Sequence, residues 1–249
     1  MILTSLQNRA ILEDVLRNPI RSRLRSFGVH SISLIELIKV RAAVYRLFAQ
    51  VFSQPDDSLL SMESLASVKE TLIGIGLPAH DLLKRLKATK NQNFATSVKV
   101  DYVKLFQGLG KRPASPYECL HRGEKFIMGD ATMDVVAFYK AAGLELDSSY
   151  ADLPDHLSAE LSFLARLCDL HVNCLEHTCE GSIRSLELQR QFYQEHLGMW
   201  IESFCTKTIE NAETDYYREF AGLLREWCML DQGIIKELEE DTTKKSYNN

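Results

Sequence analysis

An aspartate followed by a histidine, Asp155-His156, is the pair of side chains with the clearest chemical potential in this sequence. A carboxylate in the first turn of a helix is favoured by the helix macrodipole. Asp155 is therefore predicted to be ionised and directed outward, where it can bind a cation such as an arginine. Glu160 lies one helical turn after His156 and could form an acid-base pair with it. A simple capping role would also explain Asp155 and His156, because polar residues are common at helix starts.

Cysteines and histidines follow on the same predicted helix, and both are preferred zinc ligands. A step of three residues turns about 300° around a helix, so Cys168 and His177 point in opposite directions. The spacing therefore predicts no metal site on this helix alone, although a two-residue site completed by another helix stays open. The members of the group are Cys168, His171, Cys174, His177 and Cys179.

The elements that position these side chains are predicted to be helices. Leu157, Leu161 and Leu164 repeat at three- and four-residue spacing, which predicts one buried helical face. An earlier apolar stripe ends before Pro55 and is interrupted by Arg41, which is expected to extend from the edge of the stripe. No alternating strand pattern is found, so the chain is predicted to be all α. Helices are predicted at about 34–52, 58–73, 79–88, 95–107, 131–142, 155–178, 183–206 and 214–239.

Composition indicates a globular protein and argues against several partners. The 249 residues are 45% hydrophobic and 25% charged, which predicts one all-α domain of about eight to ten helices, or two lobes joined by a long connection. A formal charge of −5 argues against nucleic acid. Six cysteines without a Cys-x-x-Cys favour a reducing cytoplasm. No apolar run approaches the roughly 20 residues that span a bilayer, so direct membrane insertion is not expected.

Three stretches depart from the helical pattern. Residues 1–35 are rich in arginine and serine and are predicted to be an N-terminal extension or an extra helix, with no function assigned. Residues 241–249 are polar and are predicted to be a frayed tail of the 36–240 domain. The connection near 108–129 contains Pro113 and Pro116, which exclude a regular helix there. A connection of this length is predicted to be a binding loop or a hinge.

Motifs for common enzyme chemistries are absent from the sequence. No Gly-x-Gly-x-x-Gly, P-loop, Gly-x-Ser-x-Gly or His-Glu-x-x-His is present. The enzymatic alternative is a metal-dependent helical hydrolase that uses His156, Glu160 and the cysteine-histidine group. A purely structural subunit of a larger complex is a third alternative.

Short motifs occur along the chain in a specific order, and the order is more informative than any single motif. They are Arg41-x-x-x-Tyr45-x-x-x-Ala49 before Pro55, Tyr102-x-x-Leu105-Phe106, Pro113-x-x-Pro116-Tyr117-Glu118, Gly129-Asp130-x-Thr132, Tyr139-x-x-x-Gly143-Leu144, Leu153-Pro154-Asp155-His156-Leu157-x-x-Glu160-Leu161-x-Phe163, Phe192-x-x-x-His196-Leu197-x-x-Trp200 and Tyr216-Tyr217.

In this order, over about residues 36–235, the motifs resemble the TorD/DmsD/NarJ family of redox-enzyme maturation chaperones, closest to its TorD/DmsD branch. The resemblance implies an all-helical cytoplasmic chaperone, not an enzyme. Its client would be a molybdopterin-containing oxidoreductase, held as the apo-enzyme or by its twin-arginine signal peptide until cofactor insertion, which delays export by the Tat translocon. The resemblance also implies a monomer or a helix-swapped dimer. Weak guanine-nucleotide binding is reported for the family, but no motif here supports it.

The same resemblance implicates a set of residues in peptide binding. A signal peptide offers an arginine pair followed by an apolar run, so its receptor should combine carboxylates with an apolar groove. Asp155 is expected to bind an arginine, with Glu118 as a second acidic candidate. Tyr102 stands where some members carry tryptophan. The residues implicated by the family are Tyr102, Leu105, Phe106, Gly129, Asp155 and His156.

Overall fold

The described part of the protein is built from α-helices. A computed structural model describes residues 33–88, 93–108, 113–147, 150–177 and 181–247, so most of the predicted N-terminal extension lies outside the described residues. The prediction of an all-α fold is confirmed. The helices are α1 Leu34–Val51, α2 Met62–Gly74, α3 Leu82–Ala88, α4 Phe94–Tyr102, α5 Glu118–His121, α6 Asp130–Ala141, α7 Leu157–Glu176, α8 Gly181–Phe192, α9 Gly198–Asn211 and α10 Asp215–Tyr247.

Local sequence signals explain where α1 begins. The Ser33 hydroxyl accepts a hydrogen bond from the Glu36 amide, and the Glu36 carboxylate accepts one from the Ser33 amide. This reciprocal pair satisfies amides that the first helical turn leaves without partners. The apolar stripe of α1 packs along α7, which is the most extensive helix pairing in the described structure.

Two π-helical turns were not predicted from the sequence. One covers Val103–Gln107 and extends α4, and the other covers Tyr193–Leu197 between α8 and α9. The second turn brings the Tyr193 carbonyl oxygen to 2.5 Å from the position that a Cβ would take on Gly198. A residue with a side chain would collide there, so the glycine permits the turn. The predicted helix over 183–206 is therefore two helices joined by a widened turn.

Buried apolar residues of the long helices form one contiguous core, to which the final turns of α10 do not contribute. It extends from Ile38 in α1 to Cys228 in α10. Phe106 lies at its centre, with ring centroids 5.2 Å from Tyr217 and 5.8 Å from Phe204. No helix within the described ranges is long and apolar enough to cross a membrane. The last helix continues to Tyr247, through much of the stretch predicted to be a frayed tail.

Arg41 is completely buried, so the prediction that it extends from the edge of its stripe is wrong. Its guanidinium donates two hydrogen bonds to Asp231 of α10, at 2.5 and 2.9 Å, and the Tyr45 hydroxyl donates to the same carboxylate at 2.6 Å. Burial alone would lower the pKa of the Arg41 guanidinium. The charge of Asp231 outweighs that effect, and the pKa is raised above its usual value. The ion pair therefore joins α1 to α10 inside the core, where apolar patterning does not reveal it.

Substitution of the buried pair tests its role in stability. Arg41→Met leaves the Asp231 charge buried without its counter-charge, and we expect a loss of about 3 to 5 kcal/mol in the free energy of unfolding. The triple variant Arg41→Met/Asp231→Leu/Tyr45→Phe removes every polar partner together and should recover most of that loss. Urea unfolding of both proteins measures the difference. A triple variant less stable than Arg41→Met would contradict this account.

Candidate functional site

An antiparallel bridge between Tyr117 and His156 brings together two of the predicted motif segments. The Glu118 amide donates to the Asp155 carbonyl at 3.0 Å, and the Leu157 amide donates to the Pro116 carbonyl at 2.8 Å. These two bonds hold the 113–121 segment against the start of α7. Three predicted site residues, Glu118, Asp155 and His156, thus lie in one cluster although 37 or more positions separate the first from the other two.

Asp155 points into the protein, so the predicted outward orientation is wrong. Helix α7 begins at Leu157, which places Asp155 before the helix rather than in its first turn. Its carboxylate accepts a hydrogen bond from the Cys119 amide at 3.1 Å and is fully buried. Burial raises the pKa of the Cys119 thiol to about 12, with a hydrogen bond to Asp155 adding to the shift. Asp155 therefore fixes the start of α5 and is not available to solvent.

His156 is the N-cap of α7 and is nearly as buried as Asp155. Its Nδ1 accepts a hydrogen bond from the Ser158 amide at 3.1 Å, which requires an unprotonated Nδ1. Burial lowers the pKa of His156, while the nearby Asp152 and Asp155 act in the opposite direction. The predicted acid-base pair with Glu160 is not formed, since the side-chain contacts of His156 are with Ser158, Asp152 and the Tyr117 ring.

Glu118 and Glu160 form a buried pair of carboxyl groups. Burial and the charge of Glu118 raise the pKa of Glu160 well above its usual value. This shift favours the protonated form of Glu160 beside the Glu118 carboxylate. The Trp200 indole donates to Glu160 at 3.1 Å, and Glu118 accepts from Arg122 at 2.8 Å and from His196 at 3.2 Å. The polar edges of Trp200 and His196 thus point inward.

His121 anchors the opposite end of α5. Its Nε2 lies 2.7 Å from the Ser115 carbonyl oxygen, and its Nδ1 lies 3.0 Å from the Ser203 hydroxyl. A carbonyl can only accept, so Nε2 carries the proton and Nδ1 accepts from Ser203. Burial lowers the pKa of His121 to about 4, which keeps the ring neutral. Much of the long connection is consequently packed against the core, although residues 109–112 are outside the described part.

Tyr102, Leu105 and Phe106 share one face, as predicted, and that face is buried in the core. Leu105 is 1% exposed and Phe106 is 2% exposed. The Tyr102 ring contacts that of Phe106, with centroids 5.2 Å apart, and burial raises its pKa to about 12. Their predicted role in peptide binding stays a prediction. In the described structure they belong to the core on which the 113–121 segment packs, and the Ala114 amide donates to the Leu105 carbonyl at 3.3 Å.

The Glu124 side chain lies directly against the backbone of Gly129. The Glu124 carboxylate accepts a hydrogen bond from the Ala131 amide at 2.8 Å, near the start of α6. A Cβ on Gly129 would lie 1.4 Å from the other carboxylate oxygen of Glu124. Glycine is therefore required for Glu124 to reach the helix. The observed role of Gly129 is to shape the loop between α5 and α6.

The cysteine-histidine group is spread around α7. The Cys168 thiol donates to Gln189 at 3.5 Å inside the core, whereas His177 is exposed and hydrogen-bonds the Asn173 carbonyl at 2.9 Å. His171 is buried, which lowers its pKa to about 4. Cys179 lies outside the described residues. Among those that are described, no three histidine, cysteine or acidic side chains are arranged to hold a metal ion.

Asp152 is an accessible carboxylate at this site that the sequence did not single out for binding. Its side chain is 37% exposed. Its Oδ1 accepts from the Tyr117 hydroxyl and from the Leu153 amide, both at 2.8 Å. Its Oδ2 lies 3.8 Å from His156 Nε2, too far for a hydrogen bond. Asp152 and Tyr117 therefore form the exposed rim above the buried Asp155 and His156.

The loop before α6 exposes a run of large apolar side chains. Phe126 is 79% exposed and Met128 is 69% exposed, and Met133 in the first turns of α6 is 63% exposed. Helical periodicity could not identify them, because they are outside any amphipathic stripe. Three consecutive apolar residues between Gly123 and Gly129 were nevertheless visible in the sequence.

Comparison with known proteins identifies the class to which this helical architecture and site belong. A family model described as nitrate reductase delta subunit matches residues 69–206, more than half of the chain. The chain belongs to this family, the TorD/NarJ family, as its ordered motifs predicted. The relatives found are named as chaperones rather than catalysts, which confirms the prediction that the chain is not an enzyme.

Individual relatives agree with this assignment. The chain is 27% identical to the chaperone protein TorD of Vibrio parahaemolyticus over 207 residues, 78% of this chain and 94% of the relative. It is 24% identical to TorD of Shewanella pealeana over 208 residues, 78% of this chain and 88% of the relative. A crystal structure of a candidate redox enzyme maturation protein from Archaeoglobus fulgidus is 23% identical, with a TM-score of 0.47 and coverage of 77% and 93%.

The carboxyl pair predicts a specific pH dependence of stability. The folded protein keeps a proton on Glu160 that the unfolded chain releases above its usual pKa of 4.5. The free energy of unfolding should therefore lose this contribution as pH rises above about 4.5, by at most about 1.4 kcal/mol per pH unit. Glu160→Gln mimics the protonated form and should lack that loss.

Urea unfolding of the two proteins between pH 4.5 and 8 measures the effect. His121, His156 and His171 have lowered pKa values, so their contribution to stability grows as pH rises toward 6.5, the usual pKa of histidine, and is complete above it. Both proteins contain these histidines, and their contribution cancels in the difference. Equal pH slopes for wild type and Glu160→Gln would refute a protonated Glu160.

Proposed function

We propose that this chain is a cytoplasmic chaperone for a molybdopterin-containing oxidoreductase. It binds the twin-arginine signal peptide of that enzyme, or its apo form, assists cofactor insertion and delays export through the Tat translocon. The observation that carries the proposal is the bridge between Tyr117 and His156, which joins the two motif segments beneath an exposed carboxylate, Asp152. Membership of a family whose relatives are named TorD chaperones supports the same role.

Asp152 is the side chain best suited to bind a peptide arginine. Its Oδ2 has lone pairs that no described donor occupies, and Tyr117 holds the opposite oxygen in position. A carboxylate fixed in this way can accept a charge-assisted hydrogen bond from a guanidinium without first losing side-chain entropy. The Tyr117 ring, packed edge-on against His156 at 5.3 Å, offers an adjacent apolar surface.

The buried residues act by positioning this rim. Asp155 is buried, and its Oδ2 accepts from the Cys119 amide while its Oδ1 has no hydrogen-bond partner among the described residues. Glu118 is also buried and already accepts from Arg122, so neither carboxylate is accessible to a peptide arginine in the described structure. We assign to Glu118, Asp155, His156 and Gly129 the role of holding the 113–129 segment in place. Tyr102, Leu105 and Phe106 form the apolar support on which that segment rests.

Substitution of Asp152 tests the arginine site directly. Asp152→Asn keeps an acceptor for Tyr117 but removes the charge, so we expect at least tenfold weaker binding of a twin-arginine signal peptide. Titration with labelled peptides from candidate molybdoenzymes measures this affinity. Asp81→Asn, an exposed aspartate on the α3 side of the molecule, is the matched control and should bind as wild type does. Wild-type affinity of Asp152→Asn would refute the site, and no binding of any such peptide or apo-enzyme would refute the function.

Truncation of the buried apolar residues should lower the stability of the fold and leave peptide affinity nearly unchanged. Leu105→Ala and Phe106→Ala each create a cavity in the core, and we expect each to lower the free energy of unfolding by about 2 to 5 kcal/mol. Peptide affinity, measured well below the midpoint of thermal unfolding, should change little. A large loss of affinity in a variant that remains fully folded would instead indicate that the peptide contacts these side chains.

A further inference from the structure

The loop patch consists of Phe126, Ile127, Met128 and Met133. All four side chains are exposed, from 41% for Ile127 to 79% for Phe126. Exposed large apolar residues are individually ordinary, but a contiguous group of them marks a surface that binds another molecule. No other described residue covers these four side chains, whereas the neighbouring residues Ala131 and Thr132 of α6 are buried.

The backbone under the patch is held in one conformation. Gly123 has φ +91° and Met128 has φ +66°, a conformation that costs free energy for a residue with a side chain. The loop is tied at one end by the ion pair between Arg122 and the buried Glu118, and at the other by Glu124 lying across Gly129. These contacts fix the backbone that carries the apolar side chains, so less conformational entropy is lost when a ligand binds.

The charges around the patch indicate what it binds. Asp130 and Asp134 are exposed, lie one helical turn apart and share a face of α6 with Met133. No ion-pair partner for either carboxylate occurs within the described residues. Lys125 lies at the other end, next to Phe126. An apolar peptide segment with basic residues at one end complements this arrangement, and phenylalanine and methionine adapt readily to variable apolar sequences.

A second copy of this chain fits the patch less well. Its four side chains expose roughly 500 Å² together, which is less than the ~800 Å² per partner that a stable protein interface buries. A single helical or extended peptide needs no larger surface. The patch is connected to the segment that carries the proposed arginine site, because α5 packs against α6 and the Tyr139 hydroxyl of α6 donates to the Pro154 carbonyl at 3.0 Å.

We propose that the loop patch binds the apolar segment of the client peptide whose arginine binds at Asp152. This inference rests on the proposed function and adds to it a second subsite, with the carboxylates of Asp130 and Asp134 beside it. Tyr117, which holds Asp152, lies at one end of the 117–133 stretch, and the loop patch lies at the other end.

The test uses two labelled synthetic peptides that share an arginine pair. In the first, the pair precedes a run of leucine and alanine, and in the second that run is replaced by serine and glycine. The patch variant is Phe126→Ser/Met133→Gln, with Met128 retained because of its backbone conformation. The control, Met199→Gln/Met229→Gln, removes two methionines that are exposed outside the patch, at 61% and 58%. Fluorescence anisotropy measures the affinities, and thermal melting verifies that each variant is folded.

We expect the patch variant to bind the apolar peptide at least tenfold more weakly than wild type and the control do, with little change for the serine peptide. Asp152→Asn should weaken both peptides. If the patch variant binds the apolar peptide as wild type does while Asp152→Asn does not, the patch assignment is wrong and the proposed function stands. If wild type binds neither peptide, both fail. A wild-type dimer that becomes monomeric in the patch variant would identify a second copy as the occupant and overturn the inference.

Discussion

The buried carboxylate of Glu118 imposes the main constraint on this site. A charge removed from water must be neutralised and hydrogen-bonded, or the fold loses several kcal/mol. Here Arg122 and His196 donate to it, and the raised pKa of Glu160 favours a neutral neighbour over a second negative charge. Arg122 belongs to the long connection itself, whereas Glu160 lies in α7 and His196 in the π-helical turn before α9. Satisfying one carboxylate thus fixes the long connection against two separate parts of the chain.

The consequence for function is a separation between residues that hold the site and residues that can contact a ligand. Asp155 and His156 carry the chemistry that the sequence suggests, yet their hydrogen bonds are made within the protein. The groups left at the surface are Asp152, Tyr117 and the loop patch. In the proposed role, a peptide binds at the exposed rim, so binding does not require the core to open.

A second buried cluster also pairs its charged groups inside the core. Arg41 of α1 and Asp231 of α10 pair in the core, and Tyr45 donates to the same carboxylate. Both clusters consist of charged groups inside apolar stripes, where they specify which helices pack together. A stripe of leucines can pair with many partners, but a buried charge tolerates only the helix that carries its counter-charge or proton.

Helix positions, the all-α class and the family were predictable from sequence because they depend on local periodicity and on the order of motifs along the chain. The apolar repeat of α7 and the shared face of Tyr102 and Phe106 belong to this level. The tertiary structure decided which polar residues face inward. Asp155 and Arg41 were expected at the surface and are buried, since the Cys119 amide and Asp231 that satisfy them are brought near only by folding. Exposure of Asp152 and of the loop patch is likewise a property of packing, because it depends on what the other helices leave uncovered.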